Sequence, residues 1–401
     1  MSTPRRWPRR TKLTVLRADR MFDGTGATLT ANPVIVLDGP TVVAVNPGGA
    51  PPEGADIVDL PGATLLPGLV DTHVHLAFDA SNDPVGHLAD RDDSDVIEAM
   101  TIAAGTAVRG GVTTLRDLGD RGYLSLKLRD SGAEGLPTIV AAGPPITTLD
   151  GHCHFLGGAS ARGADGLRAA VREHVERGVD VIKIMASGGN MTAGTKPELA
   201  QFTVAELAAG VDEAHHHGLL VTAHAHGTSA IIDAIAAGVD GLEHATFWSE
   251  EGIDDAPPEV IQAIVDRRIV VSYTFGMVES SDVPLPSEVL RRVPFLIDNA
   301  RRIHEAGAVI VVGTDAGIAP IKPPDALRHA LTNLLDLGFE PAEALRSMTS
   351  VAARACGLGD SKGRLAPGYD ADVLVVDGDP LFDPGALHRI QAVYARGTRV
   401  R

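Results

Sequence analysis

Eight apolar runs that read as β-strands recur along the middle of this 401-residue chain, each followed or preceded by a helix candidate of ten to twenty residues. They are TLLPGLVDTHVH, VTTLRDLG, PTIVAAGPP, VDVIKIMASGG, LLVTAHAHG, VDGLEHATF, RIVVSYTF and AVIVVGTDAG. Continuous apolar strands joined by helices imply a parallel sheet covered on both faces, because a half-exposed strand alternates polar and apolar residues. Eight such units over about 260 residues match the usual size of a (β/α)8 barrel. The expected fold is therefore α/β, with a (β/α)8 TIM-type barrel over residues 67–362. A doubly wound open sheet would show fewer strands and a glycine-rich first turn, and the chain has no such turn.

Further β-type runs lie outside the repeat. TVLRADRMFDG, VIVLDG, TVVAV and ADIVDL precede it; DVLVVDG and AVYARGTRV follow. They are expected to pair into one small β-sandwich domain built from residues 11–66 plus 363–401. Residues 1–10 read as a disordered basic tail. An export signal would need an apolar stretch next, and Arg17, Asp19 and Arg20 interrupt it. Helix signals fit the alternation: Ser94 reads as an N-cap, Thr203 and Glu206 have capping-box spacing, and Gly218 follows as a stop.

Charge and cysteine count narrow the function. Asp and Glu number 52 against 35 Lys and Arg, a net charge of −17. Nucleic acid and anionic membrane surfaces both call for a basic face, so neither is an expected partner. Two cysteines, Cys153 and Cys356, exclude a disulfide scaffold and fit a reducing, cytoplasmic address. No run of eighteen apolar residues is present to span a membrane.

Ligands in a barrel enzyme sit at the C-terminal ends of the strands. His73 and His75 close the first run, and residues two apart in a strand face one side, so both imidazoles can address one metal. Lys183 interrupts a wholly apolar strand. A buried ammonium is costly, so such a lysine loses its proton or finds a counter-charge; as a neutral amine it can take up CO2 to form a carbamate. His224, His244 and Asp315 end the fifth, sixth and eighth runs. Each alone could be a satisfied polar residue. Together the six converge on one face, which is the expectation for a metal-dependent hydrolase.

In this order PGLVDTHVHL, IKIMASGG, TAHAHG, LEHATF and GTDAG resemble the amidohydrolase superfamily, and GRLAPGYDADVLVVDGDPLFD resembles its return into the β domain. The stretch from SGGNMTAGTKPELAQFT to AIAAGVDGLEHATF is similar to the branch of Xaa-Pro dipeptidases and imidazolonepropionase-like proteins. The resemblance implies two divalent metal ions. His73, His75 and Asp315 would hold the deeper ion, carboxylated Lys183 would bridge, and His224 and His244 would hold the second. A bridging hydroxide would attack an amide-type C–N bond, with Asp315 moving its proton and His244 and His152 also at the reacting atoms. Imidazole and carboxylate ligands suit Zn2+, with Mn2+, Co2+ or Fe2+ as alternatives. The implied substrates are small molecules: Xaa-Pro dipeptides, N-acyl amino acids or related amides. A carbamate or lactone is an alternative, and a homo-oligomer is compatible with the resemblance.

Other residues carry weaker signals. His152 or His154, after the third strand, could reach the substrate, and the sequence does not choose between them. Tyr273 could contact substrate or fill the barrel. His226 reads as support for a neighbouring ligand, and Arg116 as paired with Asp117 or another barrel acid. Cys153 lacks a second cysteine at metal-ligand spacing, and His215, His216 and His217 read as a solvated helix end. Two other functions compete. A mononuclear imidazolonepropionase-like cyclic amidohydrolase or deaminase typically has a glutamate shortly after the fifth-strand histidine; none stands there. A non-catalytic scaffold would lack ligands, and none is missing.

Overall fold

The first apolar run divides at Gly68 into two strands that serve different sheets. In the computed structural model, which describes residues 13–48, 50–158, 162–278 and 287–401, Asp56–Pro67 joins a sheet of the chain ends and Leu69–Val74 opens the barrel. A Cβ at Gly68 would lie 2.0 Å from Thr113 Oγ1, so the passage between the sheets requires glycine. The basic tail expected over residues 1–10 lies outside the described residues.

The fold is of TIM-barrel type. Its strands are β1 (Leu69–Val74), β2 (Val112–Asp117), β3 (Thr138–Ala141), β4 (Ile182–Met185), β5 (Val221–Gly227), β6 (Gly241–Ser249), β7 (Val270–Thr274) and β8 (Val309–Gly313). β1, β2 and β3 pair in parallel, as do β4 to β8. Every residue of β1, β2 and β4 is buried, as expected for strands covered on both faces.

Two seams join these runs just past the regular strands. Ile146 pairs with Ile184 in parallel, with Ile146 N–H donating to Lys183 O and Met185 N–H to Ile146 O, both at 2.8 Å. Val74 pairs with Ala316, with Asp315 N–H donating to His73 O at 2.7 Å and His75 N–H to Ala316 O at 2.9 Å. Residues expected to bind metal thus form the backbone seams.

Helices separate successive strands. Asp93–Arg109 is capped by Asp92, whose side chain accepts from the N–H groups of Ser94 and Asp95, so the cap stands two residues before the expected Ser94. An ionised carboxylate takes both donors and complements the helix dipole. Val204–His216 has the expected capping box between Thr203 and Glu206, and Gly218 follows at φ 74°.

Both chain ends contribute to an eight-stranded sheet. Asp56–Pro67 lies at its middle, parallel to Thr14–Met21 and antiparallel to Val373–Asp377. Leu16, Ile35, Leu65, Val373 and Val375 share its buried cluster. No helix among the described residues is long and apolar enough to cross a membrane.

Candidate metal centre

The end of β1 meets the end of β8. His73 and His75 turn their Nε2 atoms to one point, 3.2 Å apart, with Asp315 Oδ1 at 3.5 and 3.2 Å respectively. The far side of each ring sets its tautomer. His75 Nδ1 is 3.0 Å from Gly119 O, an acceptor, and His73 Nδ1 is 2.9 Å from the Glu243 carboxylate. Both Nδ1 atoms therefore carry the proton, leaving the Nε2 lone pairs for a metal.

A second group forms at the ends of β5 and β6. His224, His226 and His244 bring one ligand atom each within 4.8 Å of one another. His224 Nε2 donates to Gly188 O at 3.1 Å, which leaves Nδ1 free to ligate. The sequence reading gave His226 a supporting role. Its ring instead stands among the ligand candidates, stacked on His244 with centroids 4.4 Å apart. His224 and His226 are two apart on β5 and so share a face. The two groups adjoin, with 5.1 Å between the His73 and His244 rings.

Lys183 belongs with both. Its side chain is buried, and Nζ has no hydrogen-bond partner among the described residues. Burial pulls the amine down to about 8, and its charge in turn depresses His73, His224 and His244. Burial also lowers His73 to about 4, His152 to about 4 and His226 to about 3, and it holds His224 and His244 well below the usual histidine range. Neutral imidazoles are the form that binds metal. Burial opposes charge on both His75 and Asp315, but their contact overrides it: Asp315 raises His75, while His73 and His75 hold Asp315 below the carboxylate range.

The backbone is strained at the same places. His244 has φ 72° and Asp315 φ 60°, in the left-handed region that side chains other than glycine rarely adopt. Such strain costs on the order of 1–3 kcal/mol and persists where the surroundings hold it, commonly at functional sites.

The structure separates the weaker candidates. His152 is buried, with its ring 4.9 Å from His224 and its Nδ1 unpartnered. His154 lies at the start of a short 3-10 helix, with Nδ1 on Gly151 O and its ring beside Phe155. Tyr273, near the end of β7, is stacked on Phe275 and has a buried, unpartnered hydroxyl. Cys153 is buried, and burial pushes its thiol up to about 12. His215 pairs with Asp240, and His217 with Glu213.

Four supporting residues escaped sequence reasoning. Glu243 accepts from His73, from Arg116 at 2.8 Å and from Thr222 at 2.6 Å. It is the acid that Arg116 was expected to find. Asp71 accepts from Thr314 N–H and Oγ1 and from His73 N–H. Both carboxylates interrupt apolar runs as Lys183 does, and that signal could have found them. Lys322 donates to Thr274 O and Thr314 O, and its charge helps depress Asp315. It lies in a loop, where a lysine gives no signal. Arg292 lies 4.2 Å over the Trp248 ring, which is 6.0 Å from His226.

Comparison with known proteins covers nearly the whole chain. The sequence pattern of the amidohydrolase family matches residues 64–400. Ochratoxinase of Aspergillus niger is 30% identical over 363 residues, 82% of this chain and 73% of that protein. Imidazolonepropionase of Colwellia psychrerythraea is 24% identical over 349 residues, 80% of this chain and 78% of that protein. A solved Xaa-Pro dipeptidase with methionine bound in its active site superposes with a TM-score of 0.85 at 28% identity, covering 96% of this chain and 99% of the other.

Proposed function

The chain belongs to the amidohydrolase family, a hydrolase acting on C–N bonds, and we propose that it cleaves a small-molecule amide at a two-metal centre. The observation that carries this reading is the unpartnered, buried Lys183 amine beside two adjoining ligand groups, His73–His75–Asp315 and His224–His226–His244. This donor set fits two divalent cations of the zinc type. It offers neutral imidazoles, an ionised carboxylate, and an amine that becomes an anionic two-oxygen donor if CO2 adds to it. When bound, the cations would supply an acidified water and polarise the scissile carbonyl.

The chain's own groups would do the rest. Asp315 takes a proton from the attacking water and delivers it to the leaving nitrogen, so amide and water become carboxylic acid and amine. His152 Nδ1, buried and unpartnered beside His224, would hold the substrate, whereas Tyr273 alternates along β7 with Ser272 and Thr274, which face Thr72 and His244, and so packs on the outer side of the strand. Glu243 and Gly119 O fix the ring orientations of His73 and His75. The Xaa-Pro dipeptidase match makes Xaa-Pro dipeptides the first substrates to try, followed by the N-acyl amino acids that the sequence resemblance implies.

The test joins elemental analysis to a screen of metal-replete enzyme against dipeptides and N-acyl amino acids. Two ions per chain and chelator-sensitive cleavage are expected. One ion per chain would favour a mononuclear cyclic amidohydrolase. Activity confined to carbamates or lactones would move the substrate class, and chelator-resistant activity without bound metal would remove the scheme.

A further inference from the structure

At the opposite end of the barrel, beneath the starts of β5, β6 and β7, lies a cavity of about 330 Å3. Four arginines line it: Arg116, Arg267, Arg268 and Arg354. Arg116 is buried at its floor and fully engaged, donating to Glu243, Thr72 O and Ala355 O. The other three are exposed at the rim. Arg267 donates to a carbonyl, Ile235 O, and has no carboxylate partner among the described residues. Arg268 and Arg354 have neither a side-chain hydrogen bond nor an ion pair there.

The lining holds two carboxylates, and neither pairs with a rim arginine. Asp240 accepts from His215 and from Val221 N–H, and Glu243 is committed to His73, Arg116 and Thr222. In a chain of net charge −17, three guanidiniums without carboxylate partners around one concavity run against the overall balance. Their mutual repulsion is relieved by an anion, and guanidinium forks match carboxylate and phosphate geometry in two-point contacts. Arg268 also holds a left-handed backbone, φ 55°, at this rim. An adjoining cavity of about 470 Å3 shares Arg116, Val181, Leu220 and Ala355 with the first. It adds Arg396, whose backbone N–H donates to Asp372 and whose guanidinium has no carboxylate partner among the described residues. These volumes lie within the roughly 300–1,000 Å3 typical of small-molecule sites.

We propose that this underside cavity is a second binding site, for a small dianion of the phosphate-ester or dicarboxylate class, held by Arg267, Arg268 and Arg354. The site lies across Glu243 from the metal centre, and its three rim arginines take no part in the reaction assigned there.

The test is titration of the metal-replete protein with inorganic phosphate and with succinate, against chloride at matched ionic strength, followed by calorimetry and thermal melting. Saturable binding of at least one dianion is expected, with a melting shift that chloride does not give. Arg268→Gln/Arg354→Gln should weaken that binding at least tenfold while keeping the anion-free melting temperature and the metal content. Asp315→Asn should leave it intact, which separates the cavity from anion binding at the metals. No saturable binding, an equal effect of chloride, or unchanged affinity in the double variant would overturn the proposal. So would loss of binding in Asp315→Asn.

Discussion

Glu243 shows how much one buried side chain can carry. Burial alone would raise its carboxyl, yet Arg116 and His73 hold it well below the ordinary range. Glu243→Gln leaves Arg116 buried without a counter-charge, and about 3–5 kcal/mol of stability should be lost in urea unfolding. The same change loosens the tautomer of His73, so metal affinity in a chelator competition should fall roughly 10- to 100-fold. Lys183 gives a pH prediction. Folded, its amine titrates near 8; unfolded, near the ordinary 10.5. Between these values the unfolded chain binds more protons, so metal-free stability rises with pH across this window. Lys183→Met, which cannot titrate, should be more stable than the parent at pH 7, with the gap narrowing from pH 8 to 10.5. Lys183 was legible in the sequence because an ammonium inside an apolar strand has few fates. Glu243 carried the same signal beside His244, whereas Lys322 acts from a loop and carried none.

The elements make the site by closing the barrel. β1 meets β8 through backbone bonds of His73, His75 and Asp315, and β4 meets the chain after β3 through Lys183 O. Ligand placement is thereby tied to strand pairing. Gly313 marks how close the first approach is: a Cβ there would lie 2.2 Å from His73 Cβ. Gly313→Ala must push β8 from β1, and a loss of about 1–3 kcal/mol is expected. Metal retention after gel filtration should drop with it. Thr203→Ala is the control. It removes the capping box of Val204–His216 and should cost about 1 kcal/mol in thermal melting while leaving metal content and turnover unchanged. Strand identity was readable from apolar runs, but boundaries were less so. The division at Gly68 depends on contact with Thr113, on a different strand.

At the scale of the molecule, metal binding and folding should be linked, because the two ligand groups draw on β1, β5, β6 and β8 and exist together only in the closed barrel. Chelation should lower the melting temperature, and zinc at a hundredfold excess over its Kd should restore about 2.7 kcal/mol per site. An unchanged melt would show that the barrel is assembled without help from the ions. By itself the sequence determined the succession of strands and helices, and the polar residues that close five of the eight runs. Those are local properties, set by apolar periodicity and by the cost of burying a charge. Only the tertiary structure decided which polar groups meet. It put His226 with His224 and His244, set the His152 ring 4.9 Å from that of His224, and joined His73 to Glu243 across 170 residues. It also left three exposed arginines around one cavity without carboxylate partners among the described residues. Such pairings depend on strand register and ring direction, which arise when distant segments pack and have no period in the chain for a reader to find.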